Sequence, residues 1–440
     1  MSQGKSHVDP NDLPWQALCT LLSESLYGGR VDNTYDQAAL DSFIESIFNP
    51  KSYESAAPIA FEYPRDNVSS AVTLLTFPDG FSRSAFETWI SSLPNNASPS
   101  FLGLPATAEN QLQSLAGHQL LSRLSVLMDD DLDQLLTQEP TESDGDQVSY
   151  DQRHLSSIVE SIQQFRSSLP PDEWVNALVA YADANSASDV RASPLGRAIT
   201  REIAKGIELL HIVLKDIATL RGFCDGSLKT TNVIRDLLSS FVKNAAPLRW
   251  RLESPMASAV SLSAWIGDFS KKCNFLREYF GGVLPVVTVG KATVLSPPRD
   301  LSYWLGGMFF PEAFITATRQ LTAQINSWSL EELELYLEIG TSTVERDTDI
   351  VLRGLVLENA NWADGSISLT SDLRQRLPTS RLRWEQRGGS STASLSPLIK
   401  VPVYLSDLRK ALVCEVRLPL TGTAPHYTAL ARRGVAIILR

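Results

Sequence analysis

Seven apolar residues, Leu195, Ile199, Ile203, Ile207, Leu210, Leu214 and Ile217, follow one another by fours and threes. That step returns to one face of a 3.6-residue helix, so the stretch predicts a long amphipathic helix. Ser193-Pro194 sets its start, because proline lacks the N–H that a first turn leaves unbonded, and Gly222 is placed to cap its end. From Leu333 the period changes. Leu333, Leu335, Leu337 and Ile339 alternate, as do Val401, Val403 and Leu405, and then Leu412, Cys414, Val416 and Leu418. A step of two lines one face of a strand, and turn residues stand at Asp364-Gly365 and Gly388-Gly389. Helices first and short strands last read as an α+β chain whose β part, 333–440, forms a compact barrel or sandwich.

The N-terminal part is helical on the same logic. Pro14 opens a helix carrying Trp15, Leu18, Leu21, Leu22 and Leu26. Gly28-Gly29 ends it, since glycine takes the left-handed conformation that a helix end requires. Asp32 or Asn33 caps the next helix, with Tyr35, Leu40, Phe43, Ile44 and Ile47 on one face. Residues 50–82 are broken by Pro58, Pro64, Pro78 and Gly80 and read as loops with one hairpin at most. Further helices are expected around Phe86 to Ile90, from Thr107 to Met128, over 230–243 and 262–280, and after Pro311.

A length of 440 residues is enough for two or three domains. The net charge of −11 argues against a general binder of nucleic acid or membrane surfaces. Nearly all of that excess lies in residues 129–152, which hold nine Asp or Glu and no Lys or Arg. That composition reads as a flexible acidic linker between near-neutral folded parts. The four cysteines, Cys19, Cys224, Cys273 and Cys414, are too scattered for a metal knuckle or a disulfide framework. They read as reduced, mostly buried thiols of a cytosolic protein. The N-terminus has no signal-peptide apolar run, and no stretch approaches the ~18 apolar residues of a membrane span.

Catalytic motifs are missing. A Walker A loop needs glycines whose amides cradle phosphate and a hydroxyl that holds Mg²⁺. "PVVTVGKA" (285–292) has Pro285 in place of the first glycine and Ala292 in place of the hydroxyl. Gly28-Gly29-Arg30 follows a helix rather than a strand, so a turn is the better reading than a phosphate cradle. GxGxxG, GxSxG and HExxH do not occur. His211, inside the long helix, reads as structural, and no histidine pair has metal spacing. Arg374, Arg376, Arg381, Arg383 and Arg387 form a local basic stretch, read first as a solvated face and second as a docking patch. A barrel for single-stranded nucleic acid would need aromatics interleaved with basic residues, and the β region lacks them.

The order of several stretches resembles the C-terminal end of cytoplasmic dynein heavy chains. Tyr27-Gly28-Gly29-Arg30 with Asp32-Asn33 comes first, then "WISSLP" (89–94) and "SPSFLGLPATAE" (98–109). "GGMFFPEAFITATRQLTAQINSWSLEELEL" (306–335) is the most specific, and "LRW" (382–384), "VPVYL" (401–405) and "RRGVAI" (432–437) complete the series. The resemblance runs from about residue 12 to the C-terminus. It implies a disordered lead-in at 1–12 and a helical AAA+ lid at 13–128, the small subdomain of the sixth module of a motor ring. The acidic linker at 129–152 follows. The C-terminal domain is then helical over 153–300, with a last helix and a small β-barrel over 301–440, lying across one face of the ring.

In that family the whole protein is a minus-end-directed microtubule motor driven by ATP hydrolysis. Its Walker motifs, stalk and tail lie upstream, the sixth module is generally not a working ATPase, and none of those positions is matched here. The resemblance therefore implies a segment that buttresses the ring and tunes motility, with no catalytic, cofactor-binding or metal residue of its own. ATP and Mg²⁺ would belong to the parent motor. So would the partners: the rest of the ring, a second heavy chain, intermediate and light chains, and microtubules, in the cytoplasm and on the cytoskeleton, without nucleic acid or membrane insertion. Gly28, Gly29, Asp32 and Asn33 are expected as turn and cap, and Arg374, Arg376, Arg381, Arg383 and Arg387 as ring or partner contacts. The alternative is a free-standing module that docks on a motor or another AAA+ ring.

Overall fold

The computed structural model describes residues 12–31, 33–50, 82–92, 107–117, 120–121, 159–160, 162–167, 169, 176, 193–229, 231–253, 261–280, 286–289, 292–295, 302–363, 365–368, 374–387, 398–409, 411–419 and 427–440. The acidic segment, most of 50–82, Asp32 and the Gly388-Gly389 turn lie outside them.

The first helix, α1 (Trp15–Thr20), does not stop at the glycines by a left-handed turn. It widens into a π-helical segment, Leu21–Tyr27, and tightens into a 3-10 turn, Gly28–Arg30. Neither Gly28 nor Gly29 is among the left-handed glycines, so two glycines here serve a tight turn, not a positive φ. Within the widened segment Ser23 is buried and donates to Asp41, and Gln37 Nε2 donates to Ser23 Oγ at 2.6 Å. Both partners lie on α2 (Thr34–Ile47), so the two helices are joined by a polar contact. Of Asp32 and Asn33, the two caps that the sequence offers, Asn33 is the one on α2: its side chain accepts from Tyr35 N at 2.8 Å. Helix α3 spans Arg83–Ser92, and residues 107–117 are helical. Leu21, Leu26, Tyr27, Ile90, Leu112, Leu115, Leu120 and Leu121 remain exposed, so this unit turns much apolar surface outward.

The predicted long helix is α4, Pro194–Cys224, with Pro194 in its first turn. At 1.5 Å per residue it is about 46 Å long. Its buried face is wider than the predicted stripe: Leu209 and Val213 are fully buried as well. The reason is its central position, with α5 (Asn232–Val242), α6 (Leu248–Glu253) and α7 (Leu262–Phe280) all packed on it. Gly222 is not its cap. The left-handed residue is Gly226 (φ 74°), and Ser227 N and Gly226 N bond to Gly222 O and Phe223 O at 2.9 and 3.0 Å. This is a Schellman ending, four residues later than predicted. Trp250, Trp265 and Phe269 stack in the helical core, and buried Asp216 accepts from Trp250 Nε1 at 2.8 Å.

Strands β1 (Val286–Val289) and β2 (Ala292–Leu295) form an antiparallel hairpin in which Val289 faces Ala292. The stretch nearest to a Walker A loop therefore runs from one strand to its antiparallel partner, where such a loop would feed a helix. A short β3 (Ser302–Tyr303) leads through a 3-10 turn into α8 (Pro311–Asn326), again with proline in the first turn.

Ten more strands follow: β4 (Leu333–Ile339), β5 (Ile350–Leu352), β6 (Leu355–Glu358), β7 (Asn361–Ala363), β8 (Ser366–Ser368), β9 (Arg374–Arg376), β10 (Ser380–Gln386), β11 (Leu398–Tyr404), β12 (Leu412–Pro419) and β13 (Ala436–Leu439). Helix α9 (Tyr427–Arg433) lies between the last two. Among the described residues, nine of the thirteen strands join one mixed sheet in the order β3-β5-β10-β4-β12-β11-β13-β6-β9, while β7 and β8 pair separately. The expected barrel is not closed. No ladder joins β3 to β9 among the described residues. These end strands have two and three residues, and Pro378 lacks the N–H needed to extend the last one.

The predicted alternation holds for Leu333, Leu335 and Leu337, all buried. It breaks at a register shift between Val403 and Tyr404. Beyond it, Tyr404, Ala436 and Ile438, with Leu412 against them, form a second small apolar cluster apart from the main core. All four residues of β13, and all four of β6, are consequently buried. A strand buried on both faces needs a second covering layer.

Candidate functional site: the lid seam and the Phe309-Phe310 junction

Part of that covering layer comes from α2 and α9. Tyr35, at the start of α2, is almost fully buried, and its hydroxyl lies 2.9 Å from Leu430 O and 2.5 Å from Val435 O. One proton is shared between two carbonyls. Burial pushes the phenol well above its ordinary value, so the donor keeps that proton throughout the working range. The Tyr427 ring meets Tyr35 edge-on with centroids 5.9 Å apart, and the Arg432 guanidinium stands 5.8 Å from the Phe43 ring. Thr34 Oγ1 donates to Glu415 Oε1 at 3.3 Å, and Lys400 pairs with the same carboxylate.

The helical segment 107–117 reaches the same turn. Asn359 Nδ2 lies 3.1 Å from both Thr107 Oγ1 and Gly434 O. Asn359 takes a left-handed φ of 62°, which asparagine tolerates better than most residues. Gln111 Nε2 donates to Asp407 O. Next to this contact Glu358, almost fully buried, is held by Arg409 and Arg374 at 2.8 Å each, and Arg374 continues to Asp407 at 3.2 Å. Burial raises the carboxyl of Asp36 on α2, and the Arg409 charge opposes that rise.

The stretch 306–312 makes a second junction. Glu202 of α4 is buried, and its two oxygens accept from Phe309 N at 2.7 Å and Phe310 N at 2.5 Å. A carboxylate thus sits at the N-terminus of α8, where the free amides and the helix dipole both favour it. Burial still raises its carboxyl; the two amides, Lys272 and Arg201 pull it back. Lys272 of α7 donates to Met308 O at 3.1 Å and lies 5.1 Å from the Phe309 ring. Burial lowers its ammonium to about 8. Arg201 covers Phe310 at 3.9 Å. Gly206 permits the close approach of α4 and α7: a Cβ there would stand 2.5 Å from Leu276 Cδ1.

The five arginines singled out in the sequence do not form one solvated face. Arg381 and Arg383 are buried on the sheet. Glu338, directly opposite Arg381 on β4, bonds Arg381 and lies 2.8 Å from Arg383. Arg381 also reaches Glu345 at 2.7 Å. Arg387 pairs with Glu334 at 2.8 Å, and Arg374 with Glu358. Arg376, exposed on the edge strand β9, has no side-chain partner among the described residues. In the same strand as Arg381 and Arg383, Leu382 and Trp384 point to the core, where Trp384 Nε1 donates to Thr318 Oγ1 at 3.0 Å.

Among the described residues no three His, Cys, Asp or Glu are grouped to hold a metal, and no helix is long and apolar enough to cross a membrane. Cys273 is buried, and its thiol is pushed up to about 12; the other three cysteines are half-buried. His211 is exposed on α4. The sequence reading passed over Glu202 and Lys272. A signal was present: both fall in phase with apolar stripes, at Ile199 + 3 and Phe269 + 3. A charge in such a phase is buried and must be paired.

Comparison with known proteins agrees with this layout. Residues 1–108 match the AAA lid domain family of dynein heavy chains, and residues 128–439 match the family of their C-terminal domain. The cytoplasmic dynein heavy chain of Drosophila melanogaster is 33% identical over 99% of the present sequence, and that of Dictyostelium discoideum 32% over 95%. Cytoplasmic dynein 2 heavy chain 1 of Rattus norvegicus is 24% identical over 98%. The chain spans only 9%, 8% and 9% of these three relatives. With a lid helix seated on a C-terminal sheet, and family matches over both, this chain belongs to the dynein heavy chain family.

Proposed function

We propose that this protein is the C-terminal portion of a cytoplasmic dynein heavy chain, made up of the lid of the sixth AAA+ module and the domain that lies across the ring. The parent is then a microtubule motor that moves toward minus ends on ATP hydrolysis, with ATP and Mg²⁺ bound upstream. This portion contributes interface energy that differs between ring conformations, and so biases their equilibrium without doing chemistry. The observation that carries the reading is the ordered match, lid first and C-terminal domain second, to heavy chains of the cytoplasmic class.

The outward leucines of the lid support it. Leu21, Leu26, Leu112 and Leu120 are each more than half exposed, an unusual apolar display unless another body covers it. In this reading that body is the rest of the ring. Of the basic stretch, Arg376 alone has no pair among the described residues, and it is the arginine best placed to meet the ring or a partner. Cytoplasmic, microtubule-associated localisation, a second heavy chain, and intermediate and light chains come with the parent.

Deleting 153–440 from the parent motor tests the role. Force or run length is expected to change by more than about twofold, an energy bias well under 1 kcal/mol, while ATP binding stays near its original level. Unaltered motility after the deletion would refute the proposed tuning.

A further inference from the structure

Two lid helices, far apart in sequence, end on one short turn. Tyr35 of α2 bonds the carbonyls of Leu430 and Val435, while Thr107, through Asn359, is tied to the carbonyl of Gly434 between them. Gly434 has a φ of 61°, and its N–H bonds back to Ala431 O at 2.9 Å, so the turn between α9 and β13 is itself closed. Beneath it, β13 is buried on both faces.

We propose that this turn, 430–435, is a clasp that locks the lid and the C-terminal domain into one mechanical unit. Tyr35 holds the Leu430 and Val435 carbonyls directly, and the Thr107 helix reaches the Gly434 carbonyl at one remove, because Asn359 Nδ2 donates both to Thr107 Oγ1 and to Gly434 O. Loosening one grip frees the turn, and the freed turn no longer presents its carbonyls to the other grip, Tyr35 on one side and Asn359 with Thr107 on the other. Coupling of this kind passes through a contiguous packed network with two arrangements, gripped and released. The inference rests on these contacts alone and stands whatever larger protein the segment serves. For any assembly that contains it, motion of the lid is transmitted to the nine-stranded sheet without a hinge at this seam.

The test is hydrogen exchange of the full 440-residue protein bearing one of two conservative substitutions. Tyr35→Phe removes the shared donor and keeps the ring. Thr107→Val removes the acceptor of Asn359 and keeps the shape. The clasp predicts reciprocal effects. Y35F raises amide exchange over 107–117 as well as over 427–435, and T107V raises it over 34–47 as well as over 427–435, each by about three- to tenfold, the span expected for losing one hydrogen bond. Protection of α4 stays unchanged and reports that the core is intact. If each substitution instead speeds exchange only in its own helix, the two grips are independent and the proposal fails. A rise over 427–435 that never reaches the opposite lid helix refutes it equally.

Discussion

Replacing Glu202 by alanine is expected to destabilise the C-terminal domain by about 3–5 kcal/mol, the cost of taking a charged acceptor from two backbone amides at once. The substitution bears on three groups. Phe309 N and Phe310 N lose their acceptors, and Lys272 keeps a buried charge with Asp268 as the carboxylate left to oppose it. Glu202→Gln keeps the shape and one carbonyl acceptor but turns an NH₂ group toward the second amide. It is expected to cost about half as much. Urea unfolding followed by tryptophan fluorescence reads both, because Trp250, Trp265 and Trp304 lie in this domain. A loss below about 1 kcal/mol for E202A would show that the junction is not held by this carboxylate.

Lys272 and Glu202 give stability a pH dependence of known sign. Lys272 releases its proton near pH 8 in the folded state, whereas an unfolded lysine keeps it to about pH 10.4. Between those values the unfolded state binds more protons, so this group makes stability rise with pH. Glu202 acts the other way. Its carboxyl is raised on folding, so its contribution is complete below the unfolded value near pH 4.3 and is lost as pH climbs through the folded one. Lys272→Met should remove the alkaline rise and, with the lysine's charge gone, let the Glu202 carboxyl rise further, which carries its contribution to higher pH. Asp268 also faces the ammonium, and the Cys273 thiol, held near 12, stays protonated across that window.

What the sequence could disclose was local. Periodicity located α4, α5, α7 and β4, and proline in a first turn marked the starts of α4 and α8. Asn33 was legible as a cap because a cap bonds only two residues away. The arginines were not legible, since their partners depend on register: Glu338 meets Arg381 only because β4 and β10 pair with those residues opposite. Tyr35 read as one more apolar position on α2, yet its role depends on carbonyls about 400 residues further on. The open sheet escaped as well, because alternation reports which face is buried and says nothing about whether the first and last strands meet. The order of short stretches along the whole sequence disclosed the family, which no single motif could.

Gly354 carries the second large effect. It sits between β5 and β6, where the backbone passes from one end of the open sheet to the other. Its φ is 77°, and a Cβ there would stand 2.1 Å from Arg440 O and 2.8 Å from Trp304 Cδ1. The backbone cannot simply retreat. Gly354 O accepts from Arg440 N at 2.8 Å, and Trp304 Nε1 donates to Arg440 O at 2.6 Å, so the glycine is fastened to the atoms that it would strike. Gly354→Ala therefore combines a left-handed alanine with a backbone clash, about 3 kcal/mol or more. Gly340 supplies the control. Its φ is 83°, but the nearest atom to an added Cβ is Pro378 Cγ at 4.0 Å. Gly340→Ala carries the conformational strain alone, about 1 kcal/mol. Urea midpoints for the two variants should differ accordingly, and equal losses would mean that close approach at the Trp304–Arg440 contact is not what excludes a side chain. Because Arg440 follows β13 directly, G354A should also loosen the strand that lies beneath the 430–435 turn. Exchange protection over 34–47 is then expected to fall in G354A and to hold in G340A, which ties a single glycine at the split of the sheet to the seating of the lid.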